Sequence, residues 1–443
     1  MQTKLYLSLM VIAAGLLTGA CQQSTVKSAK PVTSEFRAPA YPLITIDPYT
    51  SAWSMTDQLF DEPVKHWTGE THSLIGAIRV DGQVYRFLGK EDIPWKTLLP
   101  LSKEEAWEAK YTTSSPSKGW EQSDFNDQSW QTGAGAFGTP GHQATKTNWD
   151  SDDIWVRREF TMPELDPADP LYLVYFHDDD FELYLNGKEI VNTGNRARRD
   201  VVLKIDASLL NKSGKNVIAV HCRDRGGLAY VDFGLFTESD QKQVFAQTAS
   251  QTKVSLSATQ THYEFTCGPV DLKLQFVSPL LPNNLDLLSR PVNYINYQVV
   301  SNDGAEHDVQ IYFETTPEWA VNEPTQDVEV SKGKAGGIGF VKTGTIEQPV
   351  LEKKGDNIRI DWGYFYLAAN QNEKTSLAIG DYFETKNDFN QTGTVTGTDK
   401  MTARPSKQMP AMVCIKSLGT VSGNTASGYV MLAYDDLESI QYF

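Results

Sequence analysis

The chain is poor in cysteine and short of basic charge. Only four of its 443 residues are Cys, and one of them, Cys21, follows an N-terminal apolar run. The other three, Cys222, Cys267 and Cys414, are too few and too scattered for a disulfide framework, and one thiol at least stays unpaired. Cys222 stands in an apolar alternation and Cys414 follows Met412 and Val413, the setting of small buried core residues. No CxxC or His-rich pair gives the ligand spacing of a zinc site. Forty Lys and Arg against 56 Asp and Glu leave a formal charge of −16, which argues against nucleic acid as a partner, since a phosphate-binding face needs a basic surplus. G-x-S-x-G, P-loop and G-x-G-x-x-G patterns are missing, and with them the usual signs of a nucleophile elbow or a nucleotide site. Asp435 with Asp436, and Asp361 beside Trp362, are acids of a suitable type, but neighbouring side chains on a strand diverge and make no dyad.

Long apolar runs are equally scarce. The one from Leu5 to Leu17 is shorter than the roughly 20 residues a bilayer crossing needs. With Lys4 before it and Gly19-Ala20 before Cys21, it reads as a secretory signal over residues 1–20 with a lipoprotein-type cleavage site. Lipidation at Cys21 is the expectation, with ordinary secretion as the alternative because Thr18 replaces the usual branched aliphatic. Gln22 and Gln23 lack the aspartate that retains such proteins at the inner membrane. The chain is therefore expected to be exported and anchored by lipid in the outer membrane or periplasm. Residues 21–40, rich in Ser, Thr, Lys and Pro, form a flexible tether.

Helical periodicity is the third scarcity. Residues 102–110, SKEEAWEAK, read as a capped short helix or turn, and almost everything else alternates with a period of two. The expected fold is all-β. In residues 41–104, strands around 77–80 and 84–88 flank the Asp81-Gly82 hairpin, and His66-Trp67 forms either an aromatic-packed loop or a ligand-binding corner. In residues 245–443, strands are expected at 254–258, 263–266, 327–330, 338–343, 358–360, 363–368 and 376–380, with others at 412–419 and 428–434. The stretch 271–314 reads as a three-strand meander. Leu272, Leu274 and Phe276 line one strand, Ile295, Tyr297 and Val299 the next, and Val309 to Phe313 returns after the Asn302-Asp303-Gly304 turn.

The order SPLL, LSRPVNYI, NDG and HDVQIYFE across residues 278–314 carries a resemblance. So does YPLITIDPYTSAWSMTDQL with HWTGETHSLIGAIRVDGQVYRFLG across residues 41–89. Both resemble the β portion of the glutaminase A-like family of secreted hydrolases. The ending YDDLESIQYF resembles the point where that family passes into a helical catalytic domain. The resemblance implies that residues 41–104 and 245–443 build one large, supersandwich-like β-sandwich. It places the reactive groups in a helical domain absent from this sequence. The implied role is a non-catalytic N-terminal scaffold of an exported amide or glycan hydrolase, active only with a helical domain or partner chain. The catalytic residues stay unassigned. A stand-alone carbohydrate-binding lipoprotein and a truncated, inactive remnant are the alternatives.

Residues 105–240 interrupt that unit. FND..SW at 125–130, IWVRREF at 154–160, HDD with YLNG at 177–187 and NVIAV at 216–220 resemble the galactose-binding-like jelly rolls of β-galactosidase-type glycoside hydrolases. Strand 216–221 is expected to pair with 231–234. Sugar recognition needs an aromatic face and polar groups around it. Trp120, Trp149 and His142 are candidates for the first, and Asp178, Asp179, Asp180 and Asn195 for the second. The alternative makes Trp130 and Trp155 core residues, lets Trp120 and Trp149 cap loops, and has the aspartates turn a hairpin. Calcium is the one cofactor the module suggests, but consecutive carboxylates on a strand face opposite ways, so ligands from other loops would be required.

Overall fold

The computed structural model describes residues 37–140, 145–162, 169–353 and 357–438. Cys21, the tether up to residue 36, His142 and residues 439–443 lie outside them. The described chain is all-β, with one helix longer than a turn. Its largest sheet has nine antiparallel strands, with Val270–Val277, Val292–Ser301 and Ala426–Asp435 adjacent near the middle. Leu272, Leu274, Phe276, Ile295, Tyr297 and Val299 are buried on one face, as the alternation requires. That face packs on a five-stranded sheet ordered Thr375–Asp381, Pro410–Val421, His307–Thr315, Leu74–Val80, Gln83–Leu88. Residues from both sides of the interruption thus share one core. Asp81 and Gly82 turn the expected hairpin with φ of 48° and 91°, the left-handed pair that a tight two-residue turn needs.

The stretch 271–314 is not a meander. Val270–Val277 pairs with Val292–Ser301, but His307–Thr315 leaves for the opposite sheet and pairs there with Leu74–Val80 and Pro410–Val421. Residues 302–306 form an arch, not a hairpin, and His307 fixes its far end. Its Nδ1 lies 2.6 Å from Asp81 Oδ2 and its Nε2 3.0 Å from Asp303 Oδ1. Hydrogen bonds to these two carboxylates raise the His307 pKa, and the same bonds lower Asp81 and bring Asp303 down to about 2. The contribution of a histidine with raised pKa is complete below its unfolded value near ~6.5 and fades as pH rises through the folded value. That of Asp303 is complete above ~3.9 and fades as pH falls through its folded value. The gap in melting temperature between the native protein and His307→Ala is expected to be widest near pH 5 and to narrow by pH 9. A gap unchanged by pH would show that the arch does not depend on the charged histidine.

The five-stranded sheet is covered on its outer face too. Ile75, Ala77, Tyr312, Val413 and Ile415 pack there against Phe245 and Phe389. Phe389 belongs to helix Tyr382–Thr392, which sequence analysis passed over. Asp381 caps its first turn by accepting from Phe383 N and Glu384 N, and Gly393 ends it at φ 73°. Two further expectations need local correction. Residues 102–105 form a turn, one of the two forms expected there, but from Trp107 the chain is the strand Trp107–Thr112, because Trp107 and Ala109 alternate inward and pair with Gln131–Gly135. Residues 358–360 are buried but join no sheet.

The interruption is itself a sandwich of two sheets. One is ordered Lys188–Asn192, Asp180–Leu185, Lys215–Arg223, Asp153–Thr161, Trp107–Thr112, Gln131–Gly135. The other contains Arg198–Ile205, Leu171–Asp178 and Tyr230–Thr237, with Lys96–Leu99 paired to the last. Lys215–Arg223 and Tyr230–Thr237 therefore do not pair as expected. They lie in opposite sheets, and their inward residues Ile218, Val220, Val231 and Phe233 share a core. The chain's departure and return are tied together. Arg86, 4% exposed, donates from Nε to Phe245 O at 3.2 Å and from Nη1 to Phe60 O at 2.6 Å. The Glu91 carboxylate takes the N–H groups of Val244 and Phe245 at 2.6 and 2.7 Å.

Candidate functional site

The six aromatic and polar candidates of the inserted sandwich that lie among the described residues do not converge. Trp149 is 1% exposed and belongs to the sandwich core, so it offers no face to a ligand. Trp120 is half-buried and packs edge-on against Tyr184 at 5.6 Å. Tyr184 is near one end of the strand Asp180–Leu185 and Asp180 begins the other, roughly 13 Å away at ~3.3 Å per residue. Asp180 is paired with Arg225 at 2.7 Å, and Asp179 Oδ2 accepts from Arg225 N at 2.8 Å. Asp178 ends its strand with its carbonyl facing the Cys222 thiol at 3.4 Å, and Asn195 is exposed on a separate loop. Among the described residues no group of three His, Cys, Asp or Glu could hold a metal ion.

The motif residues serve the fold instead. Arg157, fully buried, donates from Nε to Asp127 Oδ2 at 2.7 Å and from Nη1 to Trp120 O and Gln122 O, which pins the FND segment to the sheet. Asn186 Nδ2 donates to Asn216 Oδ1 at 2.8 Å, while Asn186 Oδ1 accepts from Val217 N at 2.9 Å, so YLNG and NVIAV staple each other. His177 stacks on Phe181 at 4.4 Å. The His66 corner is structural as well. Its Nε2 donates to Pro48 O at 3.1 Å, its Nδ1 accepts from Thr68, and burial holds its pKa down to about 4.

A site does form between the two sandwiches, from residues none of these motifs contained. Along Leu171–Asp178, Leu171, Leu173 and Tyr175 point into the core, so Val174 and Phe176 point out. Phe176 meets Tyr230 edge-on at 4.5 Å, and Val202, 51% exposed, extends the apolar wall. Trp95, 43% exposed, stands edge-on to Tyr172 at 4.5 Å. Facing this wall, the large sandwich presents Glu70, Glu323, Asn357 and Arg359. The space between is about 130 Å³ and runs on past Trp95, Val202 and Phe236 into a second hollow of about 460 Å³. The two hollows together fall in the size range of small-molecule clefts.

The polar wall is held in place from behind. Arg359 N donates to Asn322 Oδ1 at 3.1 Å and Arg359 Nη2 to Asn322 O. Gln326 Oε1 accepts from Asn322 N and Glu323 N at 2.7 and 3.0 Å, and Gln326 Nε2 donates to Asp361 Oδ2 at 2.8 Å. Burial lowers the Arg359 pKa, and Glu70, Glu323, Glu318 and Asp361 oppose that shift. Glu318, which accepts from Thr316 Oγ1 at 2.7 Å, is pushed up to about 8 by burial and then by nearby Asp92, which favours its neutral form at pH 7. Asp232 also lines the cleft; it is buried and accepts from Ser102 N and Oγ at 2.9 and 2.6 Å.

What fold and cleft define is an all-β chain with a ligand-sized cleft between two sandwiches. Two family models, both described as domains of unknown function, match it: DUF5127 over residues 259–443 and DUF4964 over residues 13–100. The chain is 25% identical over 199 residues to glutaminase A of Aspergillus oryzae (strain ATCC 42149 / RIB 40), a match covering 44% of this chain and 28% of that protein. The chain thus spans little more than a quarter of the curated relative. Among solved structures it is similar to a β-glycosidase from Bacteroides vulgatus at 13% identity and a TM-score of 0.24, covering 47% of this chain and 32% of that one. It is also similar to the Ruminococcus gnavus β-glucuronidase in complex with uronic isofagomine, at 12% identity and a TM-score of 0.27, covering 47% and 42%.

Proposed function

We propose that this chain is the non-catalytic β scaffold of an exported, glutaminase A-like hydrolase, lipid-anchored through Cys21, whose amide or glycan chemistry resides in a helical domain docked on it. The observation that carries this reading is an apolar platform at one end of the nine-stranded sheet. Leu280, Leu281 and Leu285, in the connection between Val270–Val277 and Val292–Ser301, are 57%, 49% and 72% exposed. Tyr434 N donates to Pro291 O at 3.2 Å, which brings the end of Ala426–Asp435 to the same place. Leu437, 59% exposed, follows. Apolar side chains gathered in this way favour a docked partner over water. The sequence similarity to a glutaminase A supports the class of partner.

The test is the intact mass of the native product from the cell envelope, with hydrolysis of L-glutamine and of aryl glycosides assayed on that product and on the 443-residue chain. The expected result is a heavier, lipidated product that turns over one of these substrates and a 443-residue chain that turns over none. Turnover by the 443-residue chain itself would overturn the scaffold reading. Leu281→Ser with Leu285→Ser is expected to leave the scaffold's melting temperature unchanged while loosening the helical domain, read as earlier proteolytic separation of the two.

A further inference from the structure

We infer that the cleft between the two sandwiches is a binding site for a neutral oligosaccharide. The argument rests on the unlike walls of the cleft. One wall is a set of outward-pointing apolar side chains, Val174, Phe176 and Val202, with the exposed Trp95 at its far end. The other carries planar polar groups, Glu70, Glu323, Asn357 and the Arg359 guanidinium, the last held by Asn322 O. A pyranose has the same division, with C–H bonds on its faces and hydroxyls at its edge, and each hydroxyl both donates and accepts. Carboxylates accept from such hydroxyls, and guanidinium and amide groups donate to them.

The charge balance selects a neutral ligand. Arg359 is within electrostatic reach of Glu70, Glu323 and Asp361, the last also paired with Lys353 at 2.7 Å, and Lys103 is within reach of Asp92 and Glu104. Each cation is already outnumbered, so an anionic ligand, a uronate or an amino-acid carboxylate, would meet surplus negative charge. A simple cation would leave the apolar wall uncovered. The two hollows share Glu70, Leu101, Lys103 and Val174, and the second, of about 460 Å³, is part open. A continuous cleft of this kind suits several sugar units in a row. This inference stands apart from the scaffold reading, since it concerns only residues of the described chain.

The experiment is titration calorimetry of the full chain with neutral tri- and tetrasaccharides from β-1,4-glucan, xylan, mannan, galactan and chitin, alongside trigalacturonate and L-glutamine. At least one neutral oligosaccharide is expected to bind with a Kd of about 1 mM or tighter. Phe176→Ala and Glu70→Gln should each weaken it by about tenfold or more. Val202→Arg, at an exposed position that leaves the core untouched, should weaken the tetrasaccharide more than the trisaccharide. Trp120→Ala should leave binding as it was. Failure of every neutral oligosaccharide to bind would overturn the assignment. So would preferential binding of trigalacturonate or L-glutamine, or loss of binding in Trp120→Ala with Phe176→Ala unaffected. Unchanged melting temperatures for Glu70→Gln and Val202→Arg keep the comparison free of folding defects.

Discussion

Replacing Lys386 by Met is expected to cost about 3–5 kcal/mol of stability, the scale for leaving a buried charge without its partner. Lys386 Nζ lies 2.6 Å from Glu314 Oε1, and both side chains are fully buried. The ammonium also donates to Tyr382 O at 2.6 Å and sits over the Tyr382 ring. Burial pushes Glu314 up and Lys386 down, and their contact opposes both shifts. The pair crosses from the five-stranded sheet to helix Tyr382–Thr392, with Tyr312 and Thr385 hydroxyls donating to the same carboxylate. Removing the ammonium leaves Glu314 either charged and unpaired or protonated at a cost. The double variant Lys386→Met with Glu314→Gln keeps an acceptor for Tyr312 and removes the stranded charge, so it should recover most of the loss. Urea unfolding of the single and double variants measures the coupling directly. A single-variant cost below about 1 kcal/mol would mean that Phe389 and its apolar neighbours hold the helix without the pair.

Period-two alternation made the all-β class legible, and it correctly placed Leu272, Leu274, Phe276, Ile295, Tyr297 and Val299 inward. Which sheet a strand joins was not legible, because alternation says only that one face is buried. Residues 302–306 have the composition of a hairpin turn, yet they arch between sheets. What decides it is His307 meeting Asp81, a residue far away in sequence. Similarly, 216–221 and 231–234 have matched alternation because they face each other across a core, and the same match would serve strand pairing. The cleft was least legible of all. Glu70, Glu323 and Arg359 come from three separate segments, and Arg359 lies in a stretch without sheet pairing. One signal was available. Leu171–Asp178 carries Tyr172, Val174 and Phe176 on the face that alternation assigns to solvent, and a strand apolar on both faces is covered on both. The helix at Tyr382–Thr392 was signalled too, by Asp381 with Glu384 three residues on and Gly393 behind.

Trp149→Ala and Trp120→Ala are expected to part company, although both residues qualify as sugar platforms by type. Trp149 is 1% exposed and packed among the core residues of the inserted sandwich, and its backbone N–H, which the substitution keeps, donates to Gly138 O at 2.7 Å. Truncating a fully buried tryptophan removes its transfer energy and leaves a cavity that the two sheets can close only in part, a loss of about 3–5 kcal/mol. Trp120 is half-buried, and its ring contact is the edge-on approach to Tyr184 at 5.6 Å. Such a contact is worth about 0.5–1.5 kcal/mol beyond the area it covers. Its carbonyl, which takes Arg157 Nη1, survives the substitution. The inserted sandwich should therefore melt markedly earlier in Trp149→Ala and nearly normally in Trp120→Ala, with near-ultraviolet circular dichroism reporting lost packing only in the first. If Trp149→Ala instead melts with the native protein and loses retention on polysaccharide, the ring is a binding face after all, and the sandwich opens there in solution. If both variants melt early, Trp120 is core as well, and the motif segment around Asp127 has no free aromatic to offer a sugar.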